Sequence, residues 1–326
     1  MSSVLGLGNA LVDILAKIEN DTLLEELNLP KGSMQLIDET GVQLINRMAG
    51  HMITEKAAGG SAANTIHGLA TLGVNTGFIG MIGDDEMGEF FRNDMEKSNI
   101  KTFLNYGENR SGISTVLISP DSERTLATFL GAAIEMSAKD LKKEMFEGYT
   151  CFHVEGYLVQ NYELVETALK MAKEAGLRNS LDLASYNVVE DNLDFLKKIT
   201  KEYVDILFAN EEEAKAFTGK EEDEALEEMS RYADISVLKL GKRGSMINYH
   251  GEVVRVGIIP ADSVDTTGAG DLYASGFLYG LAHGLTPEQC GRIGAVTSGN
   301  VIQVIGPKMS DDQWNEIKKE VSAIMN

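Results

Sequence analysis

The sequence predicts an α/β fold: a mostly parallel β-sheet covered by helices on both faces. Three observations carry that prediction. Short apolar runs alternate with helical patterns along the chain. The composition is globular, with 43% hydrophobic and 24% charged residues among 326, and only five prolines. No low-complexity tract, Gly/Ser linker or fixed-period repeat interrupts the alternation, so the chain reads as a single domain over residues 1–326.

Taken in order, the strand-like runs are residues 4–7, 76–79, 114–118, 150–154, 178–183, 206–209, 235–240 and 253–259. Helical patterns cover 62–72, 87–98, 162–175, 192–199, 211–217, 223–231 and 271–283. Strands alternating with helices of this length imply crossover units and a parallel sheet. Such sheets bind ligands at the carboxyl ends of their strands, so motifs just after strands matter most. Residues 12–37 and 102–129 break the rhythm; they read as strand-rich, with turns at Pro30-Lys31-Gly32 and Pro120-Asp121-Ser122. A small β-sheet lid laid over the active edge accounts for them.

Charge and cysteine content exclude several function classes. With 29 Lys and Arg against 50 Asp and Glu, the net charge is −21, which argues against binding a phosphate backbone. Cys151 and Cys290 cannot form a disulfide framework and read as small buried hydrophobes. The N-terminal stretch lacks a basic region, and Asp13 interrupts its apolar run, so it does not read as a signal peptide. No run of about 18 uncharged apolar residues predicts a membrane span. A cytoplasmic protein is the expectation. The five histidines (His51, His67, His153, His250 and His283) show no metal-ligand spacing.

The strongest chemical signal is Asp265-Thr266-Thr267-Gly268-Ala269-Gly270-Asp271, placed after a strand and opening an amphipathic helix. Gly268 and Gly270 allow a tight turn with N–H groups pointing one way, and the positive helix end completes an anion site. An acidic Asp271 beside bound phosphate is costly unless it has a task, such as accepting a proton from an attacking hydroxyl. The same residues are open to a plainer reading, Asp271 as helix cap and the glycines as a turn. Their place between strand and helix favours the anion site. A second signal is Gly59-Gly60-Ser61-Ala62-Ala63-Asn64. Paired glycines let a ligand approach the backbone, and Asn64 can both donate to and accept from a sugar hydroxyl.

Rival enzyme motifs fail on residues. Gly6-Leu7-Gly8-Asn9-Ala10-Leu11 lacks the third glycine of a dinucleotide fingerprint, and no GxxxxGK[ST], HExxH or GxSxG occurs.

The stretch from Gly59 to Gly88 resembles the first signature of the PfkB, or ribokinase-like, carbohydrate kinases, and the stretch from Asp265 to Leu278 resembles the second. The likeness runs nearly the whole chain, because shorter family elements recur in order. It implies a three-layer αβα sandwich with a small β-lid. It also implies transfer of the γ-phosphoryl group of ATP to a hydroxymethyl of a sugar or nucleoside. On this resemblance Asp271 is the base, and the backbone of Gly268, Ala269 and Gly270 is the anion hole. Asp13, Gly59, Gly60, Asn64 and Arg124 contact the acceptor, Arg124 being equally open to reading as a solvated charge after a turn. Asn210, Lys239, Gly241, Gly244 and Asn300 bind ATP. Glu213 holds Mg2+ through a water; alone, Asn210–Glu213 reads as a helix cap. Asp265 and Thr267 match positions that contribute to a monovalent cation (K+) site in many relatives.

Several stretches are closer to the adenosine-kinase-like branch, including Ser122-Glu123-Arg124-Thr125 and Val154-Glu155-Gly156-Tyr157-Leu158. The run from Asp182 to Tyr186 has Ala184 and Tyr186 where many sugar kinases have Asn and Arg, which favours a nucleoside acceptor over a sugar. Lys239, standing where many relatives have Thr, points the other way. Phe129, Tyr157 and Tyr186 are the candidates to stack on a base. A sugar kinase and a non-catalytic binding protein of the same fold are the alternative readings, and retention of Asp271 favours catalysis. The chain is expected to act as a monomer or a homodimer, the lid strands either pairing across a dimer or simply closing as a lid, with no nucleic-acid or membrane partner.

Overall fold

The computed structural model describes residues 3–121 and 123–326. Nine strands form the large sheet. In chain order its members are β1 (Ser3–Leu7), β5 (Asn75–Ile82), β6 (Ile100–Tyr106), β9 (Cys151–Glu155), β10 (Arg178–Asp182), β11 (Ile206–Asn210), β12 (Ile235–Lys239), β13 (Ser245–Tyr249) and β14 (Glu252–Val256). Their spatial order is β14-β13-β12-β11-β10-β9-β1-β5-β6. Every pairing from β6 to β12 is parallel, and β13 and β14 close one edge as an antiparallel hairpin. The second sheet contains β2 (Leu11–Lys17), β3 (Met34–Leu36), β4 (Ile53–Gly59), β7 (Gly112–Ile118) and β8 (Arg124–Phe129), in the order β3-β8-β7-β2-β4.

The central strands are buried along their length because both faces are covered. Successive side chains alternate between faces. Leu5, Leu7, Val154, Leu181 and Leu238 pack against α5 (Tyr162–Glu174), α7 (Leu193–Tyr203), α8 (Glu211–Thr218) and α9 (Glu222–Met229). Val4, Phe78, Phe208 and Val237 face α3 (Ser61–Thr71), α4 (Glu86–Lys97) and α10 (Ala269–Ala282). The helices α11 (Pro287–Val301) and α12 (Asp311–Met325) add an outer cluster around Trp314. The short α1 (Thr22–Glu26) and α2 (Glu39–Ala49) back the small sheet, and α6 (Tyr186–Asp191) follows β10.

The expected parallel sandwich is present, with differences that have physical causes. Residues 102–106 of the expected lid belong to the large sheet, paired in parallel with β5. That segment is an edge strand with half-covered faces, so its pattern resembles a flap strand and only the pairing separates the two. The small sheet also recruits β4, whose sequence ITEKAAG has a polar, exposed first half that gives no strand signal. The last expected strand is shorter than 253–259, and β13, α2, α11 and α12 were not anticipated; α10, α11 and α12 follow one another without the strands that mark the rhythm. Ser122 of the expected 120–122 turn lies outside the described residues. No helix among the described residues is long and apolar enough to cross a membrane.

The chain passes between the sheets four times, and the first two passages fix the site. It leaves β1 through Gly8-Asn9-Ala10 directly into β2, and returns from β4 through Gly60 into α3. The second helix of the site, α10, crosses α3 at very close range. A Cβ on Gly68 of α3 would lie 2.4 Å from Ser275 Oγ and 2.9 Å from Leu272 Cδ1. Thr65 Oγ1 donates to the Asp271 carbonyl at 3.1 Å, which locks the register of the two helices. Overpacking such a contact costs about 1–3 kcal/mol. Gly68→Val is therefore expected to destabilise the protein by at least about 2 kcal/mol in urea denaturation and to lower turnover, because it pushes the two signature helices apart.

Candidate active site

At the carboxyl ends of the parallel strands lies a cleft of about 750 Å³, bounded above by the small sheet. Each wall comes from a different crossover, as open parallel sheets require. Asp271 sits in the first turn of α10, whose cap is Gly268 in the left-handed conformation (φ 73°) with no side-chain cap. The Asp271 carboxylate does not cap its own helix. Instead Ser61 Oγ donates to its Oδ1 at 2.7 Å and Asn64 Nδ2 to its Oδ2 at 3.0 Å, both from the start of α3. This rules out the plainer cap reading. Burial dominates its acidity and lifts the carboxyl to about 6, with the two hydrogen bonds opposing. The Asn64 Oδ1 atom is buried and has no partner among the described residues, and Asn64 lines the cleft.

Around this centre, Gly60 (φ 98°) turns the chain into α3, and a Cβ there would lie 2.3 Å from the Asn9 carbonyl oxygen. Gly59 does not line the cleft; its role is to make room, since a Cβ would lie 2.2 Å from Asp13 Oδ2. Asp13, on β2 opposite Ala57 and Ser114, is buried, and its carboxyl is pushed up to about 7 by burial. Within the anion turn, the Gly268 and Gly270 N–H groups meet no backbone acceptor among the described residues. Ala269 differs from expectation: its N–H donates to the Thr266 carbonyl at 3.2 Å and it does not line the cleft.

The nucleotide-side expectations divide in the same way. Asn210, Glu213, Lys239 and Gly241 line the cleft; Gly244 and Asn300 do not. Gly244 (φ 87°) serves the β12–β13 turn, where a Cβ would meet the Val256 carbonyl oxygen at 2.0 Å. Asn300 Nδ2 donates back to Val296 within α11 at 2.9 Å. Asn210 and Glu213 form a reciprocal capping box at the start of α8: Glu213 Oε2 accepts from the Asn210 N–H at 2.8 Å and Oε1 from Asn210 Nδ2 at 2.6 Å. Each of these oxygens keeps a second lone pair. Burial raises the Glu213 carboxyl to about 7. Lys239 Nζ pairs with Asp182 Oδ2 at 2.8 Å, directly beneath the turn, where a Cβ on Gly270 would lie 3.0 Å from it.

Arg124 is buried at 7% exposure and is not a solvated charge. Its guanidinium pairs with Asp265 and donates to Thr267 Oγ1 at the root of the anion turn. Asp265 also accepts from the Thr267 N–H at 2.8 Å and the Gly306 N–H at 2.7 Å. Asp265 Oδ2 meets both Arg124 and the Gly306 N–H, whereas Oδ1 takes only the Thr267 N–H and keeps a second lone pair. Of the candidate stacking residues, Tyr157 lines the cleft, whereas Phe129 and Tyr186 do not.

Sequence reasoning missed several residues. Glu155, at the end of β9, accepts from the Asn9 N–H at 3.0 Å, Asn9 Nδ2 at 2.7 Å and the Ala62 N–H at 2.8 Å. It thereby ties the β1–β2 passage to the start of α3, and burial lifts its carboxyl to about 7. Its position at the end of a parallel strand was the available signal. Ser61 gives none, since its hydroxyl acts only once α3 meets α10. Met34, Leu36, Leu126 and Leu130 form an apolar wall on the small-sheet side.

Charge completes the picture. Asp13, Glu155, Asp182, Glu211, Glu212, Glu213 and Asp271 line the cleft against a single basic residue, Lys239. No cluster of metal-ligating side chains occurs among the described residues. Such a lining repels a bare polyphosphate.

Comparison with known proteins places this geometry. The family model for pfkB family carbohydrate kinases matches residues 38–314, so the chain belongs to the PfkB family. Adenosine kinase 1 of Arabidopsis thaliana is 27% identical over 93% of this chain and 94% of its own length. The 5-dehydro-2-deoxygluconokinase of Clostridium beijerinckii is 30% identical over 71% of this chain and 74% of its own. The crystal structure of adenosine kinase from Sinorhizobium meliloti superposes with a TM-score of 0.89 at 32% identity, covering 98% of this chain and 99% of that one. The protein is a sugar or nucleoside kinase, a phosphotransferase with an alcohol group as acceptor, of the adenosine-kinase-like branch. Family membership implies ATP as donor.

The folded Asp271 carboxyl titrates near 6 instead of 3.8, so the folded state carries the cost of its ionisation above about pH 6 and sheds it as pH falls towards 4. Asp271→Asn is therefore expected to be more stable than the natural protein at pH 8, by about 1–3 kcal/mol. That margin should shrink as pH falls below about 6 and close only near pH 4, as read from thermal unfolding across pH.

Proposed function

We propose that the acceptor is a nucleoside of the adenosine type, phosphorylated on its hydroxymethyl group. One observation carries this reading. Met34 and Leu36 are 43% and 57% exposed and form, with Leu126 and Leu130, an apolar wall in the cleft that Asp13 and Asn64 also line. A free sugar is polar all round and leaves that wall wet. A base attached to the sugar covers it while the sugar hydroxyls reach Asp13 and the unpaired Asn64 Oδ1. The likeness to the S. meliloti adenosine kinase supports the same class.

In the reaction this geometry supports, Asp13 accepts hydrogen bonds from the ring hydroxyls and Asn64 orients the sugar. Asp271 accepts the proton of the attacking hydroxyl. Its carboxylate is held by Ser61 and Asn64, so little reorganisation precedes proton transfer. The free N–H groups of Gly268 and Gly270, at the positive end of α10, and the Lys239 ammonium beneath them face the charge that develops on the moving phosphoryl group. Asn210 and Gly241 border the donor. Mg2+ bound with the nucleotide neutralises phosphate charge, and the Glu213 lone pairs fit a water of its shell. The small sheet excludes water from the cleft as a lid. Arg124 belongs to that lid and braces the anion turn.

Coupled ADP release with adenosine, inosine, ribose, fructose, fructose 6-phosphate and 5-dehydro-2-deoxygluconate tests the acceptor. Turnover on adenosine at least a hundredfold above every sugar is expected; preference for a sugar overturns the reading. On the preferred acceptor, Asp271→Asn is expected to lower kcat by about 10³-fold or more with the ATP KM within threefold. Because the base must be ionised, kcat/KM should fall as pH drops through about 6, and a rate flat from pH 8 to 5 counts against Asp271 as base.

A further inference from the structure

The segment after α11 reaches the site from behind the anion turn. Pro307 packs against Gly268 so closely that a Cβ on the glycine would lie 2.8 Å from Pro307 Cβ, and the Gly306 N–H holds Asp265. The next side chain, Lys308, carries its ammonium to a solvent-free position where it has no hydrogen-bond partner among the described residues. Its ion pair is with Asp94 Oδ2 on α4 at 3.6 Å, beyond hydrogen-bond reach. The same Asp94 oxygen accepts the N–H of Ala58 in β4 at 3.0 Å. Ala58 adjoins Gly59, whose α-carbon abuts the Asp13 carboxylate, and Ala57 lies opposite Asp13 across the β2–β4 ladder. The half-buried Asp94 thus links the Lys308 ammonium to the β4 segment that abuts the buried Asp13 at the root of the small sheet.

An ammonium buried without a hydrogen bond is costly, and a lysine placed there for stability alone is better replaced by an apolar residue. We propose that Lys308 is a positioning residue for the acceptor: it is the buried counter-charge that keeps Asp13 ionised, delivered by the segment that also braces the anion turn. An ionised Asp13 accepts two or more hydroxyl hydrogen bonds; a protonated one must donate and misorients the sugar. The groups facing the pair agree with this role. Asp13 is pushed up to about 7 by burial, with Lys308 pulling it down, Asp271 pushing it up and Arg124 pulling it down. Lys308 is pushed down to about 8 by burial, against Asp94 and Asp13. His67, which also faces Lys308, is held down to about 3 by burial and stays neutral.

The kinetic side of this proposal rests on the reading of Asp13 as the acceptor's hydroxyl ligand, whereas the charge coupling does not. Two measurements separate them. In uniformly 15N-labelled protein, the Lys308 Nζ signal, assigned by its loss in Lys308→Arg, is expected to titrate near pH 8 and to shift lower still in Asp13→Asn. Titration near 10, or no response to Asp13→Asn, overturns the proposal. In kinetics on the preferred acceptor, Lys308→Met is expected to raise the acceptor KM about tenfold or more and leave the ATP KM within twofold. The acid limb of kcat/KM for the acceptor should move up by about one pH unit and be restored in Lys308→Arg. Coupling in the spectra without a change in acceptor KM overturns the role of Asp13 in acceptor binding and with it the positioning role. Equal rises in both KM values with an unmoved pH profile make Lys308 merely structural. If Lys308→Met fails to fold, Lys308→Gln takes its place and is read by the same criteria.

Discussion

The structure depends on one electrostatic compromise, the burial of the Asp271 carboxylate at the positive end of α10. The helix end favours a negative charge there, and Ser61 and Asn64 each give it a hydrogen bond. Desolvation is nevertheless the larger effect and lifts the carboxyl to about 6. The result is an acid whose ionised form is held at a cost. That is the property a proton acceptor near neutrality needs. It also requires α3 to lie against α10, because both hydrogen bonds come from α3. Gly68 and the Thr65 hydroxyl are what allow and fix that approach.

The same tension spreads through the cleft. Seven carboxylates line it, and burial raises Asp13, Glu155 and Glu213 to about 7 as well. Internal partners hold most of them in place: backbone N–H groups for Glu155, a capping box for Glu213, a lysine for Asp182. A cleft so acidic repels a bare polyphosphate. That conflict demands compensating positive groups, which the free N–H groups of Gly268 and Gly270 and the Lys239 ammonium begin to supply. The net charge of −21 makes the same demand at long range.

Much of the fold was legible because crossover units leave a strong pattern. Residues 206–209 are apolar throughout and 235–240 apolar apart from Ser236 and Lys239, since helices cover both faces of the sheet. Where only one side of a segment is covered, the pattern weakens. The polar start of β4 and the half-covered β6 could not be assigned to the right sheet from their own residues. Within the site, the residues carried by glycine-rich turns were readable: Asp271, Asn64, Gly60 and Gly268 all meet at the cleft. Gly59 belongs to the motif of Asn64, and Gly244 and Asn300 to the nucleotide elements, but their roles are steric or internal to a helix.

Local features of the sequence specify the fold class, the PfkB family and the glycine-rich turn ahead of Asp271. Each is encoded by local spacing: apolar periodicity, a glycine pair, an acid at a helix start. Only the tertiary structure decided which groups act on one another. Ser61 and Asn9 have no local signature, because their meaning lies in contacts across 146 to 210 residues of chain. Arg124 reads in sequence as an exposed charge after a turn, and becomes a buried partner of Asp265 only when the small sheet folds over the anion turn. Pairing, burial and desolvation are properties of distance in space, and distance in space is what a linear sequence does not carry.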